Sequence, residues 1–528
     1  MNKKNKNNTF NTMFHWQNFR IKLVIEGIAI GFLTGLVIVL YRFLLEKAGM
    51  IIGEIYKLLS QRPWLIPFWL IFLAVVGYFI GLMVKKQPII SGSGIPQVEG
   101  VLLRKFKMNW WKVIIGKFIG GVLSIGSGLS LGREGPSVQL GAAVGQGFSK
   151  IFKRIKIEEK YLITSGASAG LSAAFNAPLA GVMFSLEEVH KNFSPLVLLS
   201  ALSSALTADF VSSTYFGLRP VFNFKHLSVI PLNYYIYVVI LGVLLGVFGV
   251  VFNIVIHKTL DAYNHKNWIP KEFRPILPLL ISIPLGFLLP QVLGGGHELI
   301  TSLVNYNFAI RLLIIIFIVK FLFTMLSYGS GAPGGIFLPL LTIGALLGNI
   351  YGSFITQVFH VDHTYINSFI ILAMAGYFTA VVRSPITGSI LITEMTGSFT
   401  HLLSLTTVSV VAYMVADVLG SKPIYESLLE RMERQNGDNQ FTGDSSIKVI
   451  LEIAVYLGSM VDHKTVKEQE WPKNCLLVGI KRGGDEIIPK GDTMIMPGDY
   501  LIVLTDEDNA AEVKETLLAK AGSCLLDN

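Results

Sequence analysis

Charge is what this sequence has least of. Only 15% of its 528 residues are Asp, Glu, Lys or Arg, while 52% are hydrophobic, and a soluble domain carries about 25% charged residues. The deficit excludes an ordinary water-soluble protein of this length and points to lipid as the solvent for most of the chain. Cysteine is almost missing too, Cys475 and Cys524 being the whole complement. With no C-x-x-C pair, neither a disulfide framework nor a thiolate metal site is indicated. No histidine pair has metal-ligand spacing, and neither a metal nor a cofactor is expected. The net charge of +9 would suit nucleic acid, but the basic residues cluster between apolar segments, at Lys85-Lys86, Arg104 to Lys107 and Lys150 to Lys156. Clusters so placed set membrane topology, so no nucleic-acid polymer is expected as a partner. The opening run Met1-Asn2-Lys3-Lys4-Asn5-Lys6 is polar and basic, without a small-residue cleavage site before the first apolar stretch. It reads as cytoplasmic.

What is present is a set of apolar segments near the ~20 residues a helix needs to cross a bilayer. Ile21 to Leu44, Trp64 to Val84, Tyr234 to Ile256 and the shorter Leu312 to Leu326 are examples. Between them lie apolar stretches broken by Gly and Pro, and broken helices in membranes are tolerated where the freed backbone lines a cavity. Glycines recur one helical turn apart at Gly27, Gly31 and Gly35, at Gly116 and Gly120, Gly141 and Gly145, Gly242 and Gly246, and Gly344 and Gly348. That spacing lets helices approach closely and predicts packing rather than function.

The chain also repeats itself. Ala169-Gly170, Pro178-Leu179-Ala180-Gly181 and Glu187 return as Ala375-Gly376, Pro385-Ile386-Thr387-Gly388 and Glu394, offset by 206 or 207 residues, and Gly141 and Gly145 return 203 residues later as Gly344 and Gly348. Two homologous halves with breaks at matching positions place a transport site between them. After Glu426 the charge density of a soluble protein returns. The expected division is a cytoplasmic segment over 1–20, a membrane domain over 21–433, a polar linker over 434–443 and a small soluble domain over 444–522. In that last part Ile447 to Tyr456, Cys475 to Lys481 and Tyr500 to Leu504 read as strands, with turns at Gly483-Gly484 and Pro497-Gly498-Asp499, and Glu512 to Ala521 as a helix.

Four segments set Gly or Pro at the mouth of an apolar run: Gly92-Ser93-Gly94-Ile95-Pro96, Gly132-Arg133-Glu134-Gly135-Pro136, Gly334-Gly335-Ile336-Phe337-Leu338-Pro339 and Lys422-Pro423-Ile424-Tyr425. Each reads as a helix N-terminus. Unpaired amides and about half a positive charge at such ends bind anions without any lysine or arginine. Conduction needs binding weak enough to leave, which favours helix ends over full cations. Ser93 and Tyr425 could donate hydroxyls to the anion, or could simply bond a neighbouring carbonyl. Glu134 is an expensive carboxylate in an apolar region, placed where the anion itself belongs, so it would compete for the site until protonated. Glu187 and Glu188 end an apolar stretch, either as a proton acceptor facing water or as a solvated helix end. Glu26, Glu99, Glu394, Asp209 and Asp417 are further ionisable residues in apolar context to which sequence assigns no role.

These ordered motifs, together with Ala174-Phe175-Asn176-Ala177-Pro178-Leu179-Ala180-Gly181 leading to Glu187-Glu188, resemble the CLC chloride channel and transporter family from roughly Ile21 to Arg434. The resemblance implies an all-α polytopic membrane domain of two inverted repeats with broken helices, and a homodimer whose subunits each carry a pathway. It implies that chloride is held by the hydroxyls of Ser93 and Tyr425 and the amides of Ile336 and Phe337, with Glu134 as outer gate and proton carrier. Within that family the inner glutamate separates proton-coupled antiporters from channels. Glu188 matches it, which favours chloride/proton antiport over a passive voltage- or pH-gated chloride channel. Ser93, where nitrate-preferring members carry proline, favours chloride. The expected place is the cell membrane, multi-pass, with both termini cytoplasmic.

The tail pattern Val478-Gly479-Ile480-Lys481-Arg482, Ile487-Ile488-Pro489-Lys490-Gly491-Asp492 and Pro497-Gly498-Asp499 resembles the TrkA-C type domain of potassium-conductance regulators. That resemblance implies a small α+β cytosolic domain that dimerises and senses a small cytosolic ligand. Two other motif matches lack their context. Gly166-Ala167-Ser168-Ala169-Gly170 sits in a small-residue helix rather than a strand-turn-helix, and Gly329-Ser330-Gly331-Ala332-Pro333-Gly334 has no strand-helix-strand unit around it.

Overall fold

The computed structural model describes residues 3–191, 193–218, 220–222, 224, 227–265, 269–306, 308–435, 448–483, 485–506 and 510–522. They fall into two compact units divided between Gln435 and Asn436.

The first unit is helical. Its first half runs α1 (Lys3–Gln61), α2 (Ile66–Lys86), α3 (Ile95–Leu102), α4 (Trp110–Gly126), α5 (Glu134–Ile151), α6 (Lys156–Phe175), α7 (Pro178–Phe184) and α8 (Pro195–Phe216). Its second half repeats that order as α9 (Tyr235–Asn264), α10 (Ile276–Leu288), α11 (His297–Asn305), α12 (Ile310–Gly329), α13 (Phe337–Phe359), α14 (Ile366–Val382), α15 (Pro385–Thr396) and α16 (Leu402–Val418). A final helix, α17 (Ile424–Gln435), closes the unit. Packing repeats as well: α1 lies on α6 and α8, as α9 lies on α14 and α16. Among the described residues eight segments are long and apolar enough to cross a membrane. They include the four read from sequence, and they make this a multi-pass membrane protein.

The recurrent glycines serve packing, as their spacing predicts. A Cβ on Gly141 or Gly145 would strike the backbone of α6, and one on Gly344 or Gly348 would strike that of α14. The halves meet through equivalent residues. Gly132 and Gly335 form an antiparallel bridge, the Gly132 amide donating to the Gly335 carbonyl at 2.7 Å and the Gly335 amide to the Gly132 carbonyl at 2.8 Å. Reciprocal pairing of equivalent residues is what a pseudo-twofold axis between inverted repeats produces.

The second unit is a four-stranded antiparallel sheet of order β1-β4-β2-β3, built from β1 (Lys448–Ala454), β2 (Cys475–Arg482), β3 (Asp485–Ile487) and β4 (Tyr500–Asp506). Helix α18 (Ala510–Ala521) packs on β1 and β4, over a core of Ile453, Ile480, Leu501, Val503, Val513 and Leu517. Strand β3 was not legible, being three residues long and directly behind a turn signal. Arg482 clamps the Pro497-Gly498-Asp499 turn, donating to both Asp499 carboxylate oxygens at 2.8 Å. The linker starts later than its composition predicts: Arg434 and Gln435 still belong to α17, where Arg434 pairs with Glu430 one turn back at 3.6 Å. Residues 436–447, Gly484 and Cys524 lie outside the described residues.

Candidate functional site

All four helix starts expected from Gly and Pro placement are helix starts. The loops before α3, α5 and α13 are tied together. Besides the Gly132–Gly335 bridge, the Gly334 amide donates to the Gly92 carbonyl at 2.9 Å. Ser93 Oγ abuts Gly135, the second residue of α5, and a Cβ there would also meet Gly335 Cα at 3.3 Å. Three positive helix ends therefore share one spot in the fully buried interior, a place that suits an anion and no cation. Ile336 and Phe337 are wholly buried at the start of α13. The Phe337 ring is fixed among Phe378 at 4.6 Å, Phe175 at 5.3 Å and Phe184 at 5.7 Å, and Phe184 also stands edge-on to Tyr425 at 6.3 Å. This aromatic collar brings the start of α17 to the same place.

Ser93 and Tyr425 are buried, and their hydroxyls lie within reach of each other without a well-formed hydrogen bond to any other group. Some buried hydroxyls bond a nearby carbonyl, as Ser172 Oγ does with that of Ala205 at 2.8 Å, while others, Ser168 and Tyr377 among them, are also without a partner. Leaving one unsatisfied costs about 1–3 kcal/mol. Both hydroxyls sit at the meeting point of helix N-termini.

Glu134 is the first residue of α5 and is completely buried. Its carboxylate points toward its own amide and that of Leu338 in the first turn of α13, without reaching good hydrogen-bond geometry with any group. The nearest cation is Arg133, Nε to Oε1 at 3.9 Å, and Arg133 also reaches Glu46 at 3.3 Å. A carboxylate held this loosely between two helix N-termini is an anion that can leave. Tyr425 lies within electrostatic range of both Glu134 and Glu188.

The adjacent acids Glu187 and Glu188 do not act as a pair, and neither is a simple solvated helix end. A five-residue π-helical segment, Ser185–Val189, follows α7 and turns them apart. Glu187 caps α15, accepting from the Ile386 amide at 3.3 Å, the Thr387 amide at 2.8 Å and the Thr387 hydroxyl at 2.7 Å. Glu188 is buried, with one oxygen bonded to the Ser384 hydroxyl at 3.0 Å and the other unpartnered. Near it, Lys191 pairs with Glu99 at 2.7 Å and Glu426 at 3.3 Å, a charged chain from Glu188 toward the start of α17.

Sequence reasoning missed Ser384, whose signal was the Arg383-Ser384-Pro385 break before α15. Most of the acids left without roles have structural ones. Glu394 caps α7 through the Leu179 and Ala180 amides at 3.1 and 2.7 Å. Glu26 pairs with Arg154, Glu99 with Lys191, and the exposed Asp417 with Arg383 at 3.6 Å. One oxygen of Asp209 is buried without a partner, and the structure gives it no role. No cluster of metal-ligating residues occurs among the described residues.

The Voltage gated chloride channel family profile matches residues 76–417, nearly two-thirds of the chain. The chain belongs to that family. A TrkA-C domain profile matches residues 450–518. The protein named H(+)/Cl(-) exchange transporter ClcA from Salmonella arizonae is 36% identical over 428 residues, covering 78% of this chain and 89% of that one. Among solved structures, a slow cyanobacterial Cl-/H+ antiporter superposes with a TM-score of 0.74 at 31% identity, covering 79% of this chain and 99% of that one. A CLC-type fluoride/proton antiporter gives 0.64 at 25% identity, covering 77% and 97%. Family membership accounts for the paired halves and the broken helices.

Proposed function

We propose that this protein is a secondary active transporter that exchanges chloride for protons across the cell membrane. The observation that carries this reading is Glu134: a fully buried carboxylate without a well-formed hydrogen bond, between two helix N-termini and near the Ser93 and Tyr425 hydroxyls, in a domain with a second buried glutamate at 188. Relatives at 36% and 31% identity bear the names of chloride/proton exchangers, and the fluoride/proton antiporter is more distant at 25%.

In this reading chloride binds between the hydroxyls of Ser93 and Tyr425 and the amides of Ile336 and Phe337. The Glu134 carboxylate occupies the outer anion position and blocks it. Protonation removes its charge, weakens its attraction to the α5 and α13 N-termini, and lets chloride replace it. The proton then passes inward to Glu188, whose free oxygen faces the pathway while Ser384 steadies the other. Chloride and proton compete for one helix-terminus field, so movement of one requires movement of the other. A passive channel has no use for a buried acid at position 188.

The working unit is a homodimer with one pathway per subunit. Both chain ends lie on the cytoplasmic side, consistent with the basic loops, and the TrkA-C domain is a regulatory module for a small cytosolic ligand. The decisive experiment is proton movement in liposomes driven by a chloride gradient. Uphill proton flux supports exchange, and chloride flux with no pH change refutes it.

A further inference from the structure

Two lysines are wholly buried in the membrane domain, and neither has a carboxylate partner among the described residues. Such an ammonium is costly unless its protons are all used. Lys117 on α4 donates to the carbonyls of Ile90 and Gly92 at 2.9 and 2.6 Å. Lys320 on α12 donates to those of Val292 and Gly294 at 2.8 and 2.7 Å. The lysines are 203 residues apart and their acceptors 202 apart. The loops they hold share a backbone shape: Gly92 and Gly94 have φ of +58° and +98°, Gly294 and Gly296 of +62° and +100°. A lysine at each place, fixing the carbonyls before a short helix, is one device used twice.

The first copy holds the loop that carries Ser93. The second copy carries Gly295 in the matching place and so has no hydroxyl to offer. What it does have is position. The Gly294 amide bonds the Gly128 carbonyl at 3.3 Å, and Thr342 Oγ1 lies within hydrogen-bond distance of both the Gly295 carbonyl at 3.0 Å and the Leu338 carbonyl at 2.9 Å. A Cβ on Gly295 would lie 2.7 Å from Leu338 Cδ2 and 3.4 Å from the Leu131 carbonyl. Leu131 precedes Gly132 and the Leu338 amide lies near the Glu134 carboxylate, so this loop backs both chain segments that shape the seat of that carboxylate.

We propose that Lys320 is a positioning residue for the gate: through residues 294–296 it fixes the wall formed by Leu131 and Leu338 against which the Glu134 carboxylate seats. This rests on the reading of Glu134 as gate. A loosened wall leaves the carboxylate less well seated, so chloride passes without its proton. A purely structural role for Lys320 would lower both fluxes together and leave their ratio alone.

The test is the ratio of chloride to proton flux in liposomes for the full-length protein and for Lys320→Met, Lys320→Arg, Thr342→Val and Glu134→Gln. Lys320→Met and Thr342→Val, which release the loop from opposite sides, should each raise the ratio by about twofold or more. Lys320→Arg keeps two donors and should restore it. If Lys320→Met does not fold, Thr342→Val alone decides. Folded variants with the native ratio, in a protein whose Glu134→Gln form no longer moves protons, overturn the proposal while leaving the gate intact. Proton pumping by Glu134→Gln would remove the gate reading and this inference with it.

Discussion

Glu187 and Glu394 cap each other's helices. Glu187, beyond the end of α7, binds the first amides of α15, and Glu394, near the end of α15, binds the first amides of α7. They stand 207 residues apart in equivalent places, so one contact is made twice about the pseudo-twofold axis. Each carboxylate answers the dipole and the unpaired amides at the start of its partner helix.

This reciprocity predicts that Glu394→Ala destabilises the fold without altering coupling. Two hydrogen bonds to a charged acceptor are lost, each worth roughly 1.5–3 kcal/mol. Thermal unfolding in detergent should fall by several degrees, with the chloride-to-proton ratio unchanged in the surviving protein. Native stability with an altered ratio would place Glu394 in the proton path instead.

The hydroxyl pair predicts an affinity effect. Ser93→Ala with Tyr425→Ala removes two donors and leaves the amides of Ile336 and Phe337, so chloride binding should weaken by about 1.5–3 kcal/mol per hydroxyl without vanishing. Titration calorimetry reads this directly. Unchanged affinity would show that the two hydroxyls serve something other than chloride.

The two buried acids should separate. Glu134→Gln mimics a gate that is always protonated, so chloride flux should persist, proton movement should stop and pH dependence should flatten. Glu188→Gln should also stop proton movement but keep the pH dependence that Glu134 confers on chloride flux. Identical pH profiles in the two variants would mean that the acids do not act in series.

The tail carries its own acid sensitivity. Burial by itself would push the Asp499 carboxyl up, but the Arg482 fork and the Met496 amide outweigh it and hold the group below the usual carboxylate range. A depressed carboxyl stabilises the fold above its unfolded pKa, about 3.9, and that stabilisation is lost as pH falls through the folded value. Hydrogen exchange of β2 and β4 amides in the full-length protein should be steady from neutral pH down to about pH 5 once intrinsic rates are removed. Protection should then fall below about pH 4. Asp499→Asn should weaken protection at neutral pH and erase that step; an unaltered acid profile would contradict the assignment.

Sequence made the helix starts legible because Gly and Pro constrain backbone locally, and the starts of α3, α5, α13 and α17 fall where those residues put them. It exposed the repeat because function and packing keep small residues in register across the halves. It did not reveal that Glu187 and Glu188 part company, since a π-helical turn depends on what packs around it rather than on local preference. Nor did it distinguish Lys117 and Lys320 from ordinary charges interrupting an apolar run. Their shared offset was readable, but their acceptors are carbonyls, which no residue identity announces. The closeness of the Ser93 and Tyr425 hydroxyls is likewise a property of the folded interior alone.

The central claim is that chloride and protons move in obligatory exchange through one buried site. The most direct measurement is the pH inside weakly buffered liposomes holding purified protein, after an outward chloride gradient is imposed and potassium with valinomycin sets the voltage. Exchange predicts protons driven inward against their own gradient, reversal of that movement when the chloride gradient is reversed, and its loss in Glu134→Gln. Chloride leaving the vesicles with no pH change in the native protein would contradict the account.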